Sequence, residues 1–275
     1  MGATASGKSA IATSLAEKFG GVIINADSQQ VYRDLRILTA RPTEEEEAKI
    51  PHKLYGFLGA QENCSAGIWL RYAKMEIDWA RSQEKTPIVV GGTGLYIKAL
   101  TEGIAEIPEI APEVRAQAIN DYEAMGKEAF SERLRAIDQE FFTRLKVFDR
   151  QRLVRAYEVW LGSGKPLSWW QKQKLKPTYS PDEFEIEKIE LPRDELYRRC
   201  DARFLQMLDI GAIDEVKQLM TQSPSDNLPI MKTIGVRELS SYLRNEISLD
   251  EAIEKCQTAT RNYAKRQMTW FRNQL

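Results

Sequence analysis

The sequence predicts an α/β protein: a parallel sheet flanked by helices and interrupted by one helical insertion. Three observations carry that expectation. A glycine-rich loop opens a helix at the start of the chain, two β-branched runs each end in a polar or glycine-rich turn, and strand signals vanish between about 108 and 176. The expected boundaries are 1–107 and 177–275 for the α/β core and 108–176 for the insertion. The chain has 275 residues, 43% hydrophobic and 29% charged, enough apolar material for a core and too mixed for a disordered chain. Charges nearly cancel, 39 Lys+Arg against 40 Asp+Glu, so a nucleic-acid partner would need a local basic face. Cys64, Cys200 and Cys256 lie far apart and never as a CxxC pair, which argues against a disulfide framework or structural zinc and fits a reducing cytosol. His52 is the single histidine, so a general base is expected to be a carboxylate. No apolar run reaches the roughly 18 residues of a membrane span.

Gly2-Ala3-Thr4-Ala5-Ser6-Gly7-Lys8-Ser9 fits the phosphate-loop pattern G-x-x-x-x-G-K-[ST]. In such a loop backbone N–H groups and a helix N-terminus surround phosphate oxygens, the lysine neutralises charge, and the Ser9 hydroxyl would hold Mg²⁺. The following residues, Ser9 to Phe19, read as that helix with Ile11, Leu15 and Phe19 four apart on one face, and Gly20-Gly21 stops it. The core is therefore expected to be P-loop NTPase-like. The same start also fits a myristoylation signal, which leaves Gly7, Lys8 and Ser9 unexplained. A strand should precede such a loop, yet only Met1 stands there. The expectation is a chain that starts after its first strand.

Gly21 to Asn25 reads as a buried strand ending at Ala26-Asp27-Ser28-Gln29-Gln30. Ligands of open α/β sheets bind beyond the carboxyl ends of strands, so Asp27 is either a site residue or a helix N-cap. Thr86 to Val90 is a second strand, running into Gly91-Gly92-Thr93-Gly94 at the same sheet end. In the insertion, Lys146 to Arg155 carries four cations and one acid, either a nucleic-acid stripe or a solvated helix face, and Gly162 and Gly164 end its helix. Glu44 to Glu47 reads as a solvated helix start. Phe184 to Leu191 alternates apolar and charged residues and reads as a strand returning to the sheet. Near the end, Arg261, Lys265 and Arg272 fall on one helical side, interleaved with Tyr263, Trp270 and Phe271, a pattern that suits RNA phosphates plus base stacking or an ordinary basic face.

Taken together, GATASGKS (2–9), ADSQQVYRDL (26–35), TARPT (39–43), IPHKL (50–54), SAG (65–67), VVGGTGLYIKAL (89–100), DRQRLVRAYEV (149–159), GKPLS (164–168), IGVREL (234–239) and TRNYAKRQMTWFR (260–272) resemble the tRNA dimethylallyltransferase family. The resemblance implies transfer of a dimethylallyl group from dimethylallyl diphosphate to N6 of an adenine beside the anticodon of tRNA. It implies Mg²⁺ as cofactor, a cytoplasmic monomer and no membrane partner. It assigns the diphosphate to Gly2, Ala3, Thr4, Ala5, Ser6, Gly7, Lys8 and Ser9 with Arg203, the general base to Asp27, and a place near the reacting groups to Thr93. RNA contacts are implied for Asp27, Ser28, Gln29, Gln30, Thr93, Arg115, Gln151, Arg152, Leu153, Val154, Arg155, and the stretch Lys232 to Arg237. The sequence departs from the family at Gln29 (usually Met), Leu38 (Gly), Arg41 (Lys), Lys53 (His) and Val236 (Tyr), and the family often continues beyond Leu275. Two other readings share parts of this pattern: a small-molecule kinase using the same loop on ATP, and a module that only binds RNA.

Overall fold

A computed structural model describes residues 1–145, 149–173 and 177–274. The chain divides into two compact units, Met1–Thr101 with Thr178–Leu275, and Glu102–Pro177. In the first unit the loop at 2–7 leads into α1 (Lys8–Phe19) and then β1 (Gly21–Asn25). α2 (Glu44–Lys49) precedes the two-residue β2 (His52–Lys53), α3 (Ala66–Ser82) precedes β3 (Thr86–Val90), and α4 (Gly94–Glu102) follows. The three strands are parallel in the order β2-β1-β3, with Ile23 opposite both His52 and Ile88. All five residues of β1 are buried, as a central strand covered on both faces requires. Gly20 ends α1 in the left-handed conformation, at φ 62°.

The buried face of α1 is not the apolar row that its spacing suggests. Ala12 and Ala16 face the sheet, while Phe19 is 53% exposed. Small side chains let the helix lie close to β1, where Gly21 itself has no room for a Cβ. Ile11, Leu15 and Phe19 instead line a groove beside the outer edge of β3, together with Phe184 and Ile186. The strand expected at Phe184–Leu191 is not formed. A single parallel bridge joins Ile189 to Gly2, with the Ile189 N–H donating to the Met1 carbonyl at 2.9 Å. Gly2 in turn donates to the Gly91 carbonyl at 3.4 Å, so the first two residues are the only chain beside this segment with which it pairs among the described residues.

Four further helices complete this unit: α9 (Arg193–Asp209), α10 (Ala212–Thr221), α11 (Val236–Leu243) and α12 (Leu249–Gln274), numbered after the four helices of the second unit. Leu196 and Cys200 of α9 and Ala264 of α12 bury Ala3 of the first loop. A larger cluster joins Leu35, Leu38, Phe204, Met207, Val216 and Leu239. α2 carries a capping box between Thr43 and Glu46. Its Glu47 also pairs with Arg36 and Arg41, so the acidic run does more than meet water.

The second unit is helical: α5 (Pro112–Ile137), kinked at Gly126, then α6 (Gln139–Arg144), α7 (Arg150–Ser163) and α8 (Leu167–Gln171). Its core is Phe130, Leu134, Leu153, Val154, Tyr157 and Leu167, with smaller side chains between them. Gly164, left-handed at φ 67°, ends α7. Asp138 is buried and accepts from Phe141 N–H at 3.0 Å and Ser168 N–H at 2.9 Å, tying α6 to α8. Removing a carboxylate that serves two buried donors is costly. Asp138→Ala should destabilise this unit by about 1–3 kcal/mol in chemical denaturation, and an unchanged midpoint would show the bonds to be dispensable.

Candidate active site

The carboxyl ends of β1 and β3 and the first loop converge in the first unit. Beyond β1, the buried Asn25 side chain accepts from Asp27 N–H at 2.8 Å and donates to the Asp27 and Leu54 carbonyls, both at 3.0 Å. These bonds fix the turn on which Asp27 sits. Asp27 is no helix N-cap: its Oδ1 accepts from Gln29 N–H at 3.0 Å, an Asx turn. Thr93, beyond β3, accepts from Ser28 N–H at 2.8 Å and donates to Ser28 Oγ at 3.1 Å, joining the two strand ends. Gly91 is required here because a Cβ would fall on the Ala26 carbonyl.

The first loop turns through Gly7 in the left-handed region, φ 89°, and α1 begins with no side-chain cap and no acid in its first turn. Lys8 is buried and Arg203 half-buried, and among the described residues neither has a carboxylate within ion-pair distance. Lys8 Nζ donates to the Ala3 carbonyl at 3.4 Å, and Arg203 donates to Thr4 Oγ1. Burial holds the Lys8 ammonium and the Arg203 guanidinium below their ordinary pKa values, while the charge of Asp27 pulls each back up. Two desolvated cations without a counter-ion beside open helical N–H groups constitute a receptor for a polyanion. Ser9 is exposed at the same cleft as Lys8. Its hydroxyl fits Mg²⁺ only as an ion that brings most of its oxygens from phosphate and water.

Arg203 also lines a second pocket, with Thr4, Asp27, Gln29 and Tyr263. Leu38, Phe204, Met207 and Ile234 supply its apolar lining. The site can therefore hold an anion and an apolar group in the presence of a carboxylate.

Other expected site residues are placed differently. Gln29 lines the pocket, but Gln30 donates to the Thr39 and Ala40 carbonyls, each at 2.9 Å, and serves the backbone. In the second unit Leu153 and Val154 are core residues whose side chains face inward, so they offer no side-chain contact to RNA. Gln151, Arg152 and Arg155 are on α7 with exposed or half-exposed side chains. Arg115 and Arg155 both pair with the buried Glu158, at 3.7 and 2.6 Å, and Arg152 pairs with Asp149 at 3.3 Å. Lys146 lies outside the described residues. Lys232 and Arg237 are exposed. On α12, Arg261 is bound to both oxygens of Asp201, at 2.7 and 2.8 Å. Tyr263 lines the second pocket, Trp270 packs on Gly94, and Phe271 is buried, so these aromatic residues help build the site and the core.

Two residues escaped the sequence reading. Gln267, buried on α12, accepts from Thr4 N–H at 2.8 Å and donates to the Gly92 carbonyl at 2.9 Å, clamping the first loop to the turn after β3. Arg199, one helical turn before Arg203, lines the cleft with Lys8 and Ser9. An i, i+4 arginine pair on α9 was the available signal for the second. We expect Arg203→Ala to weaken inorganic pyrophosphate binding at least about tenfold in calorimetric titration at any salt, since its charge is desolvated. Arg199→Ala should cost a few-fold, and that loss should shrink with salt. Equal losses would contradict this division.

The chain is similar to known proteins over its whole length. The family model described as IPP transferase matches residues 30–274. A tRNA dimethylallyltransferase of Rhodospirillum rubrum is 49% identical over 275 residues, covering 100% of this chain and 84% of the relative. One from Nitrobacter hamburgensis is 48% identical, covering 100% and 86%. Among solved structures, the tRNA delta(2)-isopentenylpyrophosphate transferase of Staphylococcus epidermidis superposes with a TM-score of 0.69 at 34% identity, covering 100% of this chain and 89% of that one. A eukaryotic dimethylallyltransferase acting on tRNA superposes with a TM-score of 0.81 at 28% identity, covering 98% and 68%.

Proposed function

The chain belongs to the IPP transferase family, that of the tRNA dimethylallyltransferases, and we propose that it transfers a dimethylallyl group from dimethylallyl diphosphate to N6 of the adenine next to the anticodon of tRNA, releasing pyrophosphate. The observation that carries the proposal is a pair of cations without a carboxylate at ion-pair distance among the described residues, Lys8 and Arg203 in one cleft, with Arg203 also lining a pocket walled by Asp27 and by apolar side chains. A diphosphate satisfies the first, an allylic carbon chain the last.

The first loop then serves as a phosphate-binding loop. As the C1–O bond of the donor breaks, its electron pair goes to the pyrophosphate. Lys8, Arg203 and the N–H groups at the start of α1 stabilise that growing charge in a site poor in water. The exocyclic amine of adenine is a weak nucleophile because its lone pair is delocalised into the ring. As the C1–N6 bond forms, Asp27 takes the N6 proton through Oδ2, Oδ1 being engaged with Gln29 N–H. Thr93, held against Ser28, positions the groups around that carboxylate. Ser9 would be the residue to hold a Mg²⁺ bound with the diphosphate, and such an ion would supply further neutralisation of the leaving group. A stacked adenine cannot reach a buried carboxylate, so it must be extruded from the anticodon loop. Arg115, Arg152 and Arg155 of the helical unit and Lys232 and Arg237 of the first supply phosphate contacts. The exposed Arg152–Asp149 pair is worth at most about 1 kcal/mol, little enough to be exchanged for RNA. Burial makes Glu158 the firmer partner. The activity is that of a cytoplasmic, monomeric enzyme, and no helix among the described residues is long and apolar enough to cross a membrane.

Asp27→Asn retains an oxygen for Gln29 N–H and loses the base. It should lower transfer at least about a hundredfold while tRNA affinity stays within about twofold, measured by prenylated adenosine after digestion and by filter binding. Full activity would remove the carboxylate from the mechanism. Arg152→Ala should reduce the slope of log affinity against log salt by about one phosphate contact, and an unchanged slope would deny that residue a phosphate.

A further inference from the structure

We infer that Glu158, buried in the helical unit, is a positioning residue for tRNA: it holds Arg115 and Arg155 in one fixed fork that receives phosphate. The inference rests on the tRNA reading above. Arg152, Arg155 and Glu158 follow Asp149 at intervals of three along α7, so an acid stands at each end of a row with two arginines between. The two acids are not alike. The Asp149 side chain is 40% exposed and meets Arg152 at 3.3 Å on the surface. The Glu158 side chain is 4% exposed, and each of its oxygens serves a different arginine. Arg155 Nη1 donates to Oε1 at 2.6 Å, and Arg115 Nη1, from α5, stands 3.7 Å from Oε2. One carboxylate thus joins two helices through their cations.

The exposures say what each group can do. Arg155 is 42% exposed and Arg115 62%, so RNA can reach both guanidinium groups and cannot reach the carboxylate between them. A planar guanidinium can bond an acid on one edge and offer the other to a phosphate, which an ammonium cannot do. An arginine already held by a buried acid has also lost its rotamer freedom in the fold, and gives up less of it on binding. Nor can both arginines desert the acid for RNA, because a lone carboxylate out of water is costly. By charge alone, neutralising an acid on an RNA-binding helix strengthens binding. A positioning role for Glu158 requires the opposite sign, and that difference makes the role testable.

The test neutralises the two acids of the row separately and measures unmodified tRNA by filter binding across a salt series. Asp149→Asn keeps a helix-capping oxygen, removes one exposed negative charge, and should leave affinity unchanged or raise it. Glu158→Gln removes one negative charge too, yet should lower affinity at least about fivefold and reduce the slope of log affinity against log salt by about one phosphate contact. In prenyl transfer the KM for tRNA should rise by the same factor while kcat stays within about twofold, a split that a loss of folded protein does not give. If Glu158→Gln does not fold, Glu158→Asp carries the same test: the charge is kept, the reach is one methylene shorter, and affinity should still fall. A carboxylate variant that binds as tightly as the native chain or more tightly overturns the positioning role and leaves tRNA prenylation standing. An equal loss in Asp149→Asn also overturns it, by denying Glu158 any effect of its own. A native chain without affinity for tRNA removes the tRNA reading and this inference with it.

Discussion

Lys8 is out of water and Arg203 largely so; burial first and then the Arg203 charge hold the Lys8 ammonium down, and neither has a carboxylate at ion-pair distance among the described residues. An arrangement like this costs stability in the empty protein, because desolvated charge is repaid only by a partner. Much of the surrounding structure makes sense as the support for that cost. Gln267 holds the loop before Lys8 to the turn after β3, Arg203 bonds back to Thr4, and Ala3 is sealed by α9 and α12. The cations are therefore presented to a ligand by a rigid frame, and pairing them releases free energy that a flexible surface site would not hold in store.

The same frame aims the chemistry. Asn25, at the end of the central strand, uses its whole side chain to shape the turn bearing Asp27. Thr93 couples that turn to the end of β3. A pocket that joins a carboxylate, a cation and apolar side chains, beside a cleft that holds a second cation, is an unusual combination. It suits a reaction in which an anion leaves, a carbon chain needs shelter and a proton must be removed at one point in space.

Much of this could be read from residue order alone, for a physical reason. The loop-helix, the turn after β1 and the glycine turn after β3 are local: each is specified by a few consecutive residues, and parallel topology places both turns at one end of the sheet. Long-range contacts left no such trace. Gln267 is far along the chain from Thr4 and Gly92, and nothing in its neighbourhood marks it. Part of the basic, aromatic pattern of α12 answers to such distant contacts, Arg261 to Asp201 and Trp270 to Gly94. In α1 the apolar spacing pointed to Phe19, but a helix lying close on a strand buries its alanines. Phe184–Leu191 alternates like a strand and lacks a neighbour with which to pair along its length. β2, at two residues, is too short to carry a period.

The central claim is that the first glycine turn, with Lys8 and Arg203, holds the diphosphate while the attached C1 carbon points toward Asp27. A crystal structure of the chain with a non-ionising thio-analogue of dimethylallyl diphosphate tests this directly. The account predicts both phosphates within hydrogen-bond distance of the Lys8 and Arg203 side chains, the carbon chain against Leu38 and Phe204, and C1 on the side facing Asp27. Diphosphate bound elsewhere, or C1 turned away from that carboxylate, would contradict it.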